Sequence, residues 1–281
     1  MENQILVVTD LVKSFKDKKV LKSINMEICK GHVYGLIGKN GAGKTTFIRT
    51  ITGLMKPTSG TIYFSTNKEY IGYMPQSCRF DDKSTVKETI QFFAGIRNTS
   101  IESSIELAQK LDLDFTAKVR LLSPGQQKKL QIIIAMIGEP EFYILDEPTA
   151  GLDPSATHEM LKIIQSIHKQ GKTILISSHI LQDMNNICTD IGILKDGKLS
   201  YSQAFKKAFQ IQTDGVSEDY LNSLGKKYSL DYAKNVLLFK DIESNNIPAL
   251  IKELVQNDVN VYEASIMNLE DLALGEMEVV S

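Results

Sequence analysis

The chain has 281 residues, of which 42% are apolar and 23% charged, and its net charge is −2. This composition indicates a globular protein with one large domain and a smaller one, and it gives no sign of a nucleic-acid-binding surface. The longest apolar runs are too short to span a bilayer, the N-terminus lacks the basic start and apolar core of a signal peptide, and the three cysteines show no C-x-x-C spacing, a combination typical of a cytoplasmic protein.

Strand patterns dominate the first part of the chain, up to about residue 75. A lysine-rich segment, 16–19, predicts a solvated turn between the first two strands. The predicted strands cover 7–9, 24–28, 33–37, 61–64 and 70–74.

Helices and strands alternate in the middle of the chain, which predicts an α/β core with a parallel sheet. Continuous apolar runs there indicate strands covered on both faces, and Asp196-Gly197 marks a hairpin turn. The predicted helical stretches cover 86–138 and 158–170, and the predicted strands cover 142–145, 173–177, 191–194 and 198–201.

The remaining tail differs from the core, with a boundary placed near Ser202. Its pattern predicts a small α+β extension, which is either a scaffold that extends the core or a regulatory or dimer-stabilising element. The predicted strands are 208–212, 236–239 and 259–262, and the predicted helices are 217–227, 247–256 and 269–277.

The most informative stretch is Gly-Lys-Asn-Gly-Ala-Gly-Lys-Thr-Thr at 38–46, which matches the phosphate-binding pattern G-x-x-x-x-G-K-[ST]. It lies between a predicted buried strand, 33–37, and a predicted helix that begins at 46. There the glycines allow backbone N–H groups to surround a phosphate, Lys44 supplies a positive charge, and Thr45 offers a hydroxyl to Mg²⁺. The alternative is a chance glycine-rich turn. The candidate nucleotide-binding residues are Gly38, Asn40, Gly41, Ala42, Gly43, Lys44, Thr45 and Thr46.

A second motif, Asp146-Glu147-Pro148, follows the predicted strand 142–145. Open α/β sheets bind their ligands at the carboxyl ends of strands, where these two acids lie. Asp146 can hold Mg²⁺ there, directly or through water, and Glu147 can orient or deprotonate the water that attacks the γ phosphate. An ordinary strand end followed by turn residues is the alternative, and the nearby phosphate-binding pattern favours the catalytic interpretation.

Together these motifs resemble those of the ATP-binding subunit of an ABC transporter, over about residues 1–200. The resemblance implies that the protein binds ATP and Mg²⁺. It also implies an α/β fold of the P-loop NTPase class, ABC ATPase type. Such a fold has a parallel-sheet core, an antiparallel β subdomain and a helical subdomain, here at about 77–137. We therefore expect an ATPase domain at 1–202 and a small α+β accessory domain at 203–281.

Further residues match this family in its own order. Phe15 corresponds to the aromatic residue that stacks on adenine, although by itself it fits a core residue better. Gln76 corresponds to the glutamine that contacts Mg²⁺ and senses the membrane partner. Asp153 lies in the loop where two protomers touch, and His179 corresponds to the histidine that bonds the γ phosphate. The resemblance thus implies that Glu147, His179 and Gln76 form the catalytic set.

The segment 122–126, Leu-Ser-Pro-Gly-Gln, resembles the family signature L-S-G-G-Q. Ser123 and Gln126 form a capping-box pattern and Pro124 suits the first helical position, so the segment predicts a helix N-terminus and an anion site. In the family, Ser123, Gly125 and Gln126 would meet the γ phosphate held by the other protomer. Proline at 124 removes a backbone N–H, which puts the hydrolysis rate in doubt. A plain helix cap is the alternative.

One chain carries one phosphate-binding loop and one signature, so the resemblance implies that ATP joins two ATPase subunits, identical or different. Transport then takes place in separate integral membrane subunits, which dock beside Gln76 and the segment 77–137. We expect a cytoplasmic protein, peripheral on the inner face of the cell membrane, with no nucleic-acid partner.

The direction of transport and its cargo depend on a weaker resemblance. The tail, notably 264–272, is similar to the branch that exports antibiotics, peptides or lipids. An importer ATPase, a soluble ABC ATPase acting on nucleic acid or the ribosome, and a nucleotide switch that does not hydrolyse ATP are the alternatives.

Overall fold

The computed structural model of the protein describes residues 3–67, 70–180, 184–185, 187–204, 209–240, 242 and 244–266. The chain divides into two compact units, Met1–Ala204 and Phe205–Ser281. Each unit has its own cluster of buried apolar side chains.

Two sheets form the strand framework of the first unit. Its strands are β1 (Gln4–Phe15), β2 (Lys18–Cys29), β3 (Val33–Ile37), β4 (Ser59–Phe64), β5 (Ile71–Met74), β6 (Phe142–Asp146), β7 (Thr173–Ser178), β8 (Asp190–Lys195) and β9 (Lys198–Ala204). The six-stranded sheet has the order β5-β6-β7-β3-β8-β9, in which β9 pairs antiparallel with β8 and the other neighbours are parallel. The central strands β3, β6 and β7 are buried along their whole length, so this sheet is covered on both faces. Their carboxyl ends lie at the same edge of the sheet.

The smaller sheet, β2-β1-β4, is antiparallel. Its first two strands form a hairpin of 12 residues per strand, joined by a turn at Lys16 and Asp17. The predicted strands 7–9 and 24–28 were too short. Register shifts between β1 and β2 interrupt the alternation of apolar and polar residues on which the prediction depended. Asp10 and Ser23 have φ values of 47° and 61°, and both fall at such irregular positions.

The α-helices within the described residues of the first unit include α1 (Lys44–Ile51), α2 (Val86–Ile96), α3 (Glu102–Lys110), α4 (Pro124–Met136) and α5 (Pro154–Lys169). The periodic apolar residues of the predicted helical stretch pack into one cluster, which includes Val86, Ile90 and Ala108 with Leu130 and Ile133 of α4. The helix α1 begins at Lys44, two residues before the predicted start, because Gly43 already adopts a left-handed conformation as its N-cap.

The described residues of the second unit form a four-stranded antiparallel sheet with two α-helices. Its elements are β10 (Phe209–Thr213), α6 (Glu218–Lys227), β11 (Ser229–Ala233), β12 (Val236–Lys240), α7 (Ile247–Gln256) and β13 (Val261–Ile266), and the strand order is β11-β12-β10-β13. The core contains Phe209, Ile211, Leu237 and Phe239 of the sheet with Leu250 of α7.

The α+β pattern predicted for the tail agrees with these elements, with one strand missed and one displaced. The strand β11 was not predicted because it alternates exposed and half-buried residues without a strong apolar run. The predicted strand 259–262 begins two residues later, at Val261, after Asp258 takes a positive φ of 57°. The predicted helix 269–277 lies outside the described residues.

Candidate nucleotide-binding and catalytic site

The phosphate-binding loop connects the centre of the six-stranded sheet to α1. It follows β3, which pairs with β7 and β8. Gly38 and Gly43, at the two ends of the loop, are each required, one by close packing and the other by its backbone conformation. A β-carbon on Gly38 would lie 2.5 Å from the carbonyl oxygen of Leu194, and Gly43 has a φ of 112°. The N-cap of α1 has no side-chain cap, so the first N–H groups of the helix lack a side-chain acceptor at the loop.

Lys44 lies inside this loop and is 5% exposed. Its Nζ donates a hydrogen bond of 2.6 Å to the carbonyl of Gly38 and lies 3.0 Å from Oε1 of Glu147. The ammonium group therefore connects the phosphate-binding loop to the acid that follows β6. A buried cation in this position has the charge and the location to bind a phosphate oxygen.

Glu147 is 3% exposed and makes a second polar contact, between Oε2 and Nδ1 of His179 at 2.7 Å. Its φ is 51°, an uncommon value for a residue with a β-carbon, and its N–H donates to the hydroxyl of Ser177 at 3.0 Å. The carboxylate thus lies between a lysine and a histidine, which are the groups expected around a carboxylate that handles protons.

Asp146 is fully buried and offers a free oxygen atom. Its Oδ1 accepts a hydrogen bond of 2.6 Å from the hydroxyl of Ser177, while Oδ2 is buried without a hydrogen-bond partner. Burial raises the pKa of Asp146, and the hydrogen bond from Ser177 and the nearby hydroxyl of Thr45 oppose this increase. The hydroxyl of Thr45 lies 3.4 Å from Oε1 of Gln76.

These groups fit a magnesium ion that arrives with a nucleotide. Among the described residues there is no group of three or more His, Cys, Asp or Glu side chains that could hold a metal ion. The protein instead offers the unpartnered oxygen of Asp146 with the hydroxyl and amide oxygens of Thr45 and Gln76 nearby. Mg²⁺ commonly takes one or two protein ligands and completes its shell with phosphate oxygens and water.

The signature segment forms a second, separate region. Ser123 is the N-cap of α4 and makes a capping box with Gln126, as the sequence predicts, with Pro124 in the first turn. Asp153 caps α5, and its carboxylate accepts from the N–H groups of Ser155 at 2.9 Å and Ala156 at 3.0 Å. A pocket of about 400 Å³ lies between these two helix starts and is lined by residues within 123–129 and 151–159.

Phe15 lies at the end of β1 and is 44% exposed, so its interpretation as a core residue is wrong. Its ring lies 4.9 Å from Nζ of Lys13. The same hairpin approaches the phosphate-binding loop, since a β-carbon on Gly43 would lie 3.2 Å from Cδ2 of Leu21. Stacking of Phe15 on adenine remains a prediction.

The structure therefore brings most of the predicted catalytic and metal-binding residues together. Glu147 contacts both Lys44 and His179, and Thr45 donates a hydrogen bond to Gln76. Ser123, Gly125, Gln126 and Asp153 line the separate signature pocket. Asn40 and Gly41 are exposed on the loop, and Ala42 donates its N–H to Lys39, so the roles of Asn40, Gly41, Ala42 and Thr46 remain predictions.

Two residues of the site were missed in the sequence. Ser177, inside a predicted strand, contacts both Asp146 and Glu147. Lys128 on α4 is 8% exposed and donates hydrogen bonds to the backbone carbonyls of Gln76 at 3.0 Å and Glu147 at 3.1 Å. A signal for Lys128 existed, because helical spacing places it on the same face as the buried Ile132 and Ala135.

The part of the chain that the structure describes contains no helix long and apolar enough to cross a membrane.

Comparison with known proteins relates this site to one family. Residues 21–150 match the ABC transporter family. An uncharacterised ABC transporter ATP-binding protein of Methanocaldococcus jannaschii is 34% identical over 275 residues, covering 96% of this chain and 98% of the relative. A lantibiotic transport ATP-binding protein of Streptococcus pyogenes is 35% identical and covers 69% of this chain and 89% of its own. A Nod factor export ATP-binding protein of Burkholderia lata is 33% identical and covers 66% of each chain.

A solved structure of the ATP-binding subunit of an ABC transporter superposes with a TM-score of 0.65 and 28% identity, covering 79% of this chain and 93% of that one. The predicted P-loop NTPase fold of ABC ATPase type is confirmed. Since the relatives include a lantibiotic transport protein and a Nod factor export protein, an ABC ATPase acting on nucleic acid or the ribosome is not favoured. The chain belongs to the ABC transporter family as an ATP-binding subunit, which binds and hydrolyses ATP to power transport and works with membrane subunits and a second ATPase subunit.

Proposed function

We propose that ATP is held between two ATPase subunits, with the phosphate-binding loop of one subunit and the signature pocket of the other on the same γ phosphate. The observation that carries this proposal is the division of the site. Lys44, Glu147 and His179 form one linked group, whereas the pocket at Ser123 is lined only by residues within 123–129 and 151–159. Each region supplies what the other lacks, so two copies in opposite orientation complete two sites.

In the phosphate-binding half, Lys44 and the N–H groups at the start of α1 bind the β and γ phosphates. Thr45, Gln76 and Asp146 would hold Mg²⁺, which neutralises charge on the phosphate oxygens when it is bound. The ring of Phe15 stacks on adenine. Because Nζ of Lys44 lies 3.0 Å from Oε1 of Glu147, a phosphate that attracts this lysine also releases the carboxylate.

Glu147 then acts on water. Its carboxylate accepts a proton from the water molecule whose oxygen attacks the γ phosphorus, and the bond to the β–γ bridging oxygen breaks to give ADP and phosphate. His179, which contacts Oε2 of Glu147 at 2.7 Å, orients the carboxylate and bonds the γ phosphate. Loss of the γ phosphate weakens the contact with Ser123 and lets the two subunits separate.

The substitution Glu147→Gln tests this arrangement. It removes the proton acceptor and keeps the shape of the side chain, so phosphate release is expected to fall by about 10²- to 10⁴-fold while ATP still binds. The protein with Mg²⁺ and ATP is expected to elute from a sizing column as a dimer and, without ATP, as a monomer. Light scattering measures the mass and a phosphate assay measures turnover.

Glu141→Gln is the matched control, because Glu141 precedes β6 and is exposed, whereas Glu147 follows the same strand. The control is expected to hydrolyse ATP at the normal rate. Normal hydrolysis by Glu147→Gln would refute the assignment of the base. A dimer that survives Ser123→Arg, which fills the signature pocket, would refute the shared site.

The chain is proposed to act on the inner face of the cell membrane, where its membrane partner docks beside Gln76 and the segment 77–137. Export of a peptide, an antibiotic or a lipid-like compound is the cargo class we propose, supported by the lantibiotic transport and Nod factor export relatives. Purification of the tagged chain from membranes of its own cells, followed by identification of the copurifying membrane protein, tests the partner. An importer's permease in that complex would refute export.

A further inference from the structure

Lys128 lies on α4, five residues after Ser123, on the same buried face of the helix as Ile132 and Ala135. A methionine or leucine would fill such a position without the free energy that is needed to remove an ammonium group from water. Packing alone therefore does not account for a charged residue here.

The two hydrogen bonds of Lys128 go to backbone carbonyls of site residues. Nζ lies 3.0 Å from the carbonyl oxygen of Gln76 and 3.1 Å from that of Glu147. These residues follow the neighbouring parallel strands β5 and β6, which pair through Met74 and Leu145. Lys128 thus joins the ends of two strands at the residues that we assign to metal binding and water activation.

The backbone of Glu147 needs such support. Its φ of 51° is unfavourable for a residue with a β-carbon, so neighbouring contacts must hold it in place. On one side, its N–H donates to the hydroxyl of Ser177 at 3.0 Å and to the carbonyl of Ser177 at 3.2 Å. On the other side, its carbonyl accepts from Lys128 and from the N–H of Ala150 at 3.3 Å. The peptide groups on both sides of the α-carbon are fixed, and so is the direction of the carboxylate.

We infer that Lys128 is a positioning residue, which holds the backbones of Glu147 and Gln76 in place and links them to the helix that begins at Ser123. The inference rests on the proposed role of Glu147 as the base. Lys128 does not contact the residues proposed to bind the phosphates, Lys44 and Thr45. Its removal therefore affects kcat and leaves ATP affinity in place.

The experiment replaces Lys128 by methionine in the full chain and measures kcat, ATP affinity and thermal unfolding. We expect kcat to fall by roughly 10- to 100-fold, since displacement of a catalytic group by about 1 Å has an effect of that order. The dissociation constant for ATP is expected to stay within about threefold of the original, since a change of 1.4 kcal/mol is needed for a factor of ten. Lys128→Arg, which keeps a cation with several donors, is expected to restore most of kcat.

Arg97→Met is the matched control, because Arg97 also bridges two backbone carbonyls, those of Ile137 at 2.9 Å and Ile71 at 2.8 Å. Neither carbonyl belongs to a site residue. We expect this variant to lower the unfolding temperature without changing kcat. An equal loss of kcat in Arg97→Met and Lys128→Met would overturn the positioning role, because general destabilisation would then explain both.

Other outcomes are equally decisive. Normal kcat in Lys128→Met, or a loss of ATP affinity as large as the loss of kcat, refutes the inference. If Lys128→Met does not fold, Lys128→Gln, which replaces the ammonium group by a neutral amide on a shorter side chain, is measured and judged by the same criteria. Glu147→Gln in the same assay separates the two proposals: an inactive Glu147→Gln with a fully active Lys128→Met refutes only the role of Lys128, and an active Glu147→Gln refutes the base.

Discussion

The phosphate-binding region and the signature pocket differ in how far their polar groups are satisfied within one chain. Around Lys44, buried charges contact each other: the lysine bonds to Gly38 and Glu147, and Glu147 bonds to His179. Around Ser123, the polar groups serve as helix caps and face an open pocket of about 400 Å³. The first region holds its charges ready for a ligand, whereas the second presents the N-termini of two helices beside the Lys129–Glu159 ion pair. This difference favours the proposal that the first region does the chemistry and the second contacts the γ phosphate before it is released.

Lys44→Ala breaks the phosphate-binding region most directly. ATP affinity is expected to fall about 100-fold, because a hydrogen bond to a charged group contributes about 1.5–3 kcal/mol and 1.4 kcal/mol corresponds to a factor of ten. The change also leaves the buried Glu147 without its cation, so the free energy of unfolding is expected to fall by about 3 kcal/mol. Isothermal titration and denaturant unfolding measure the two effects.

The double variant Lys44→Ala with Glu147→Gln serves as the control, since a neutral amide needs no cation. It is expected to recover most of the stability and none of the ATP affinity. If stability did not return, the Lys44–Glu147 pair would have no part in holding the nucleotide-free site together.

Asp146→Asn changes the same region, but it is expected to stabilise the fold, whereas Lys44→Ala destabilises it. Because burial raises the pKa of Asp146, the folded protein holds the ionised carboxylate less well than the unfolded chain does. The contribution of this group to the free energy of unfolding is largest below its ordinary pKa of 3.8. It declines as the pH rises through the higher pKa that the group has in the folded protein. Asparagine removes that loss and keeps an acceptor for Ser177, so the nucleotide-free variant is expected to unfold at a higher temperature at neutral pH.

The gain in stability is expected to disappear at acidic pH, where Asp146 is protonated in both states. Turnover with Mg²⁺ and ATP is expected to fall by about 100-fold, in line with the several kcal/mol that a metal ion contributes to such reactions. Thermal unfolding across pH and a phosphate assay check both effects. A lower unfolding temperature at neutral pH would contradict the assignment of Asp146 as a carboxylate that waits for a metal ion.

The sequence alone predicted both the phosphate-binding region and the signature pocket, but not all of their residues. The phosphate-binding loop and Asp146-Glu147 were found because they occupy short, continuous motifs next to strongly apolar strands. The cap at Ser123 was found for a similar reason, since an N-cap is a local pattern and this one forms as predicted. The cap that Asp153 forms on α5 was not predicted. The fold class followed from alternating helices and strands, and comparison with a solved structure confirms it.

What the sequence did not show depends on contacts between distant segments. Ser177 approaches Asp146 only because β6 and β7 pair in register, and Lys128 reaches Glu147 only because α4 packs beside β5. The long hairpin of β1 and β2 was underestimated because bulges disturb its alternation. The exposure of Phe15 likewise depends on where the hairpin ends and cannot be derived from its neighbours in the chain.

Pro124→Gly gives the smallest expected effect and addresses the signature pocket alone. Proline in the first turn of α4 provides no N–H for a phosphate, and glycine restores one donor. One additional hydrogen bond contributes about 1 kcal/mol at each of the two shared sites, so ATP-driven dimerisation is expected to tighten by about 30-fold. The helix itself is expected to lose about 0.5–1 kcal/mol, because glycine is more flexible than proline in the unfolded chain.

Pro154→Gly is the matched control for this change, because Pro154 occupies the first turn of α5 after the cap Asp153 and does not line the signature pocket. It is expected to lose similar stability without any gain in dimerisation. Sedimentation with Glu147→Gln in the background measures both variants under conditions in which ATP is not consumed. If the two glycine variants dimerised equally, the missing N–H at position 124 would have no effect on phosphate recognition, and the departure from the family signature would be a matter of helix stability only.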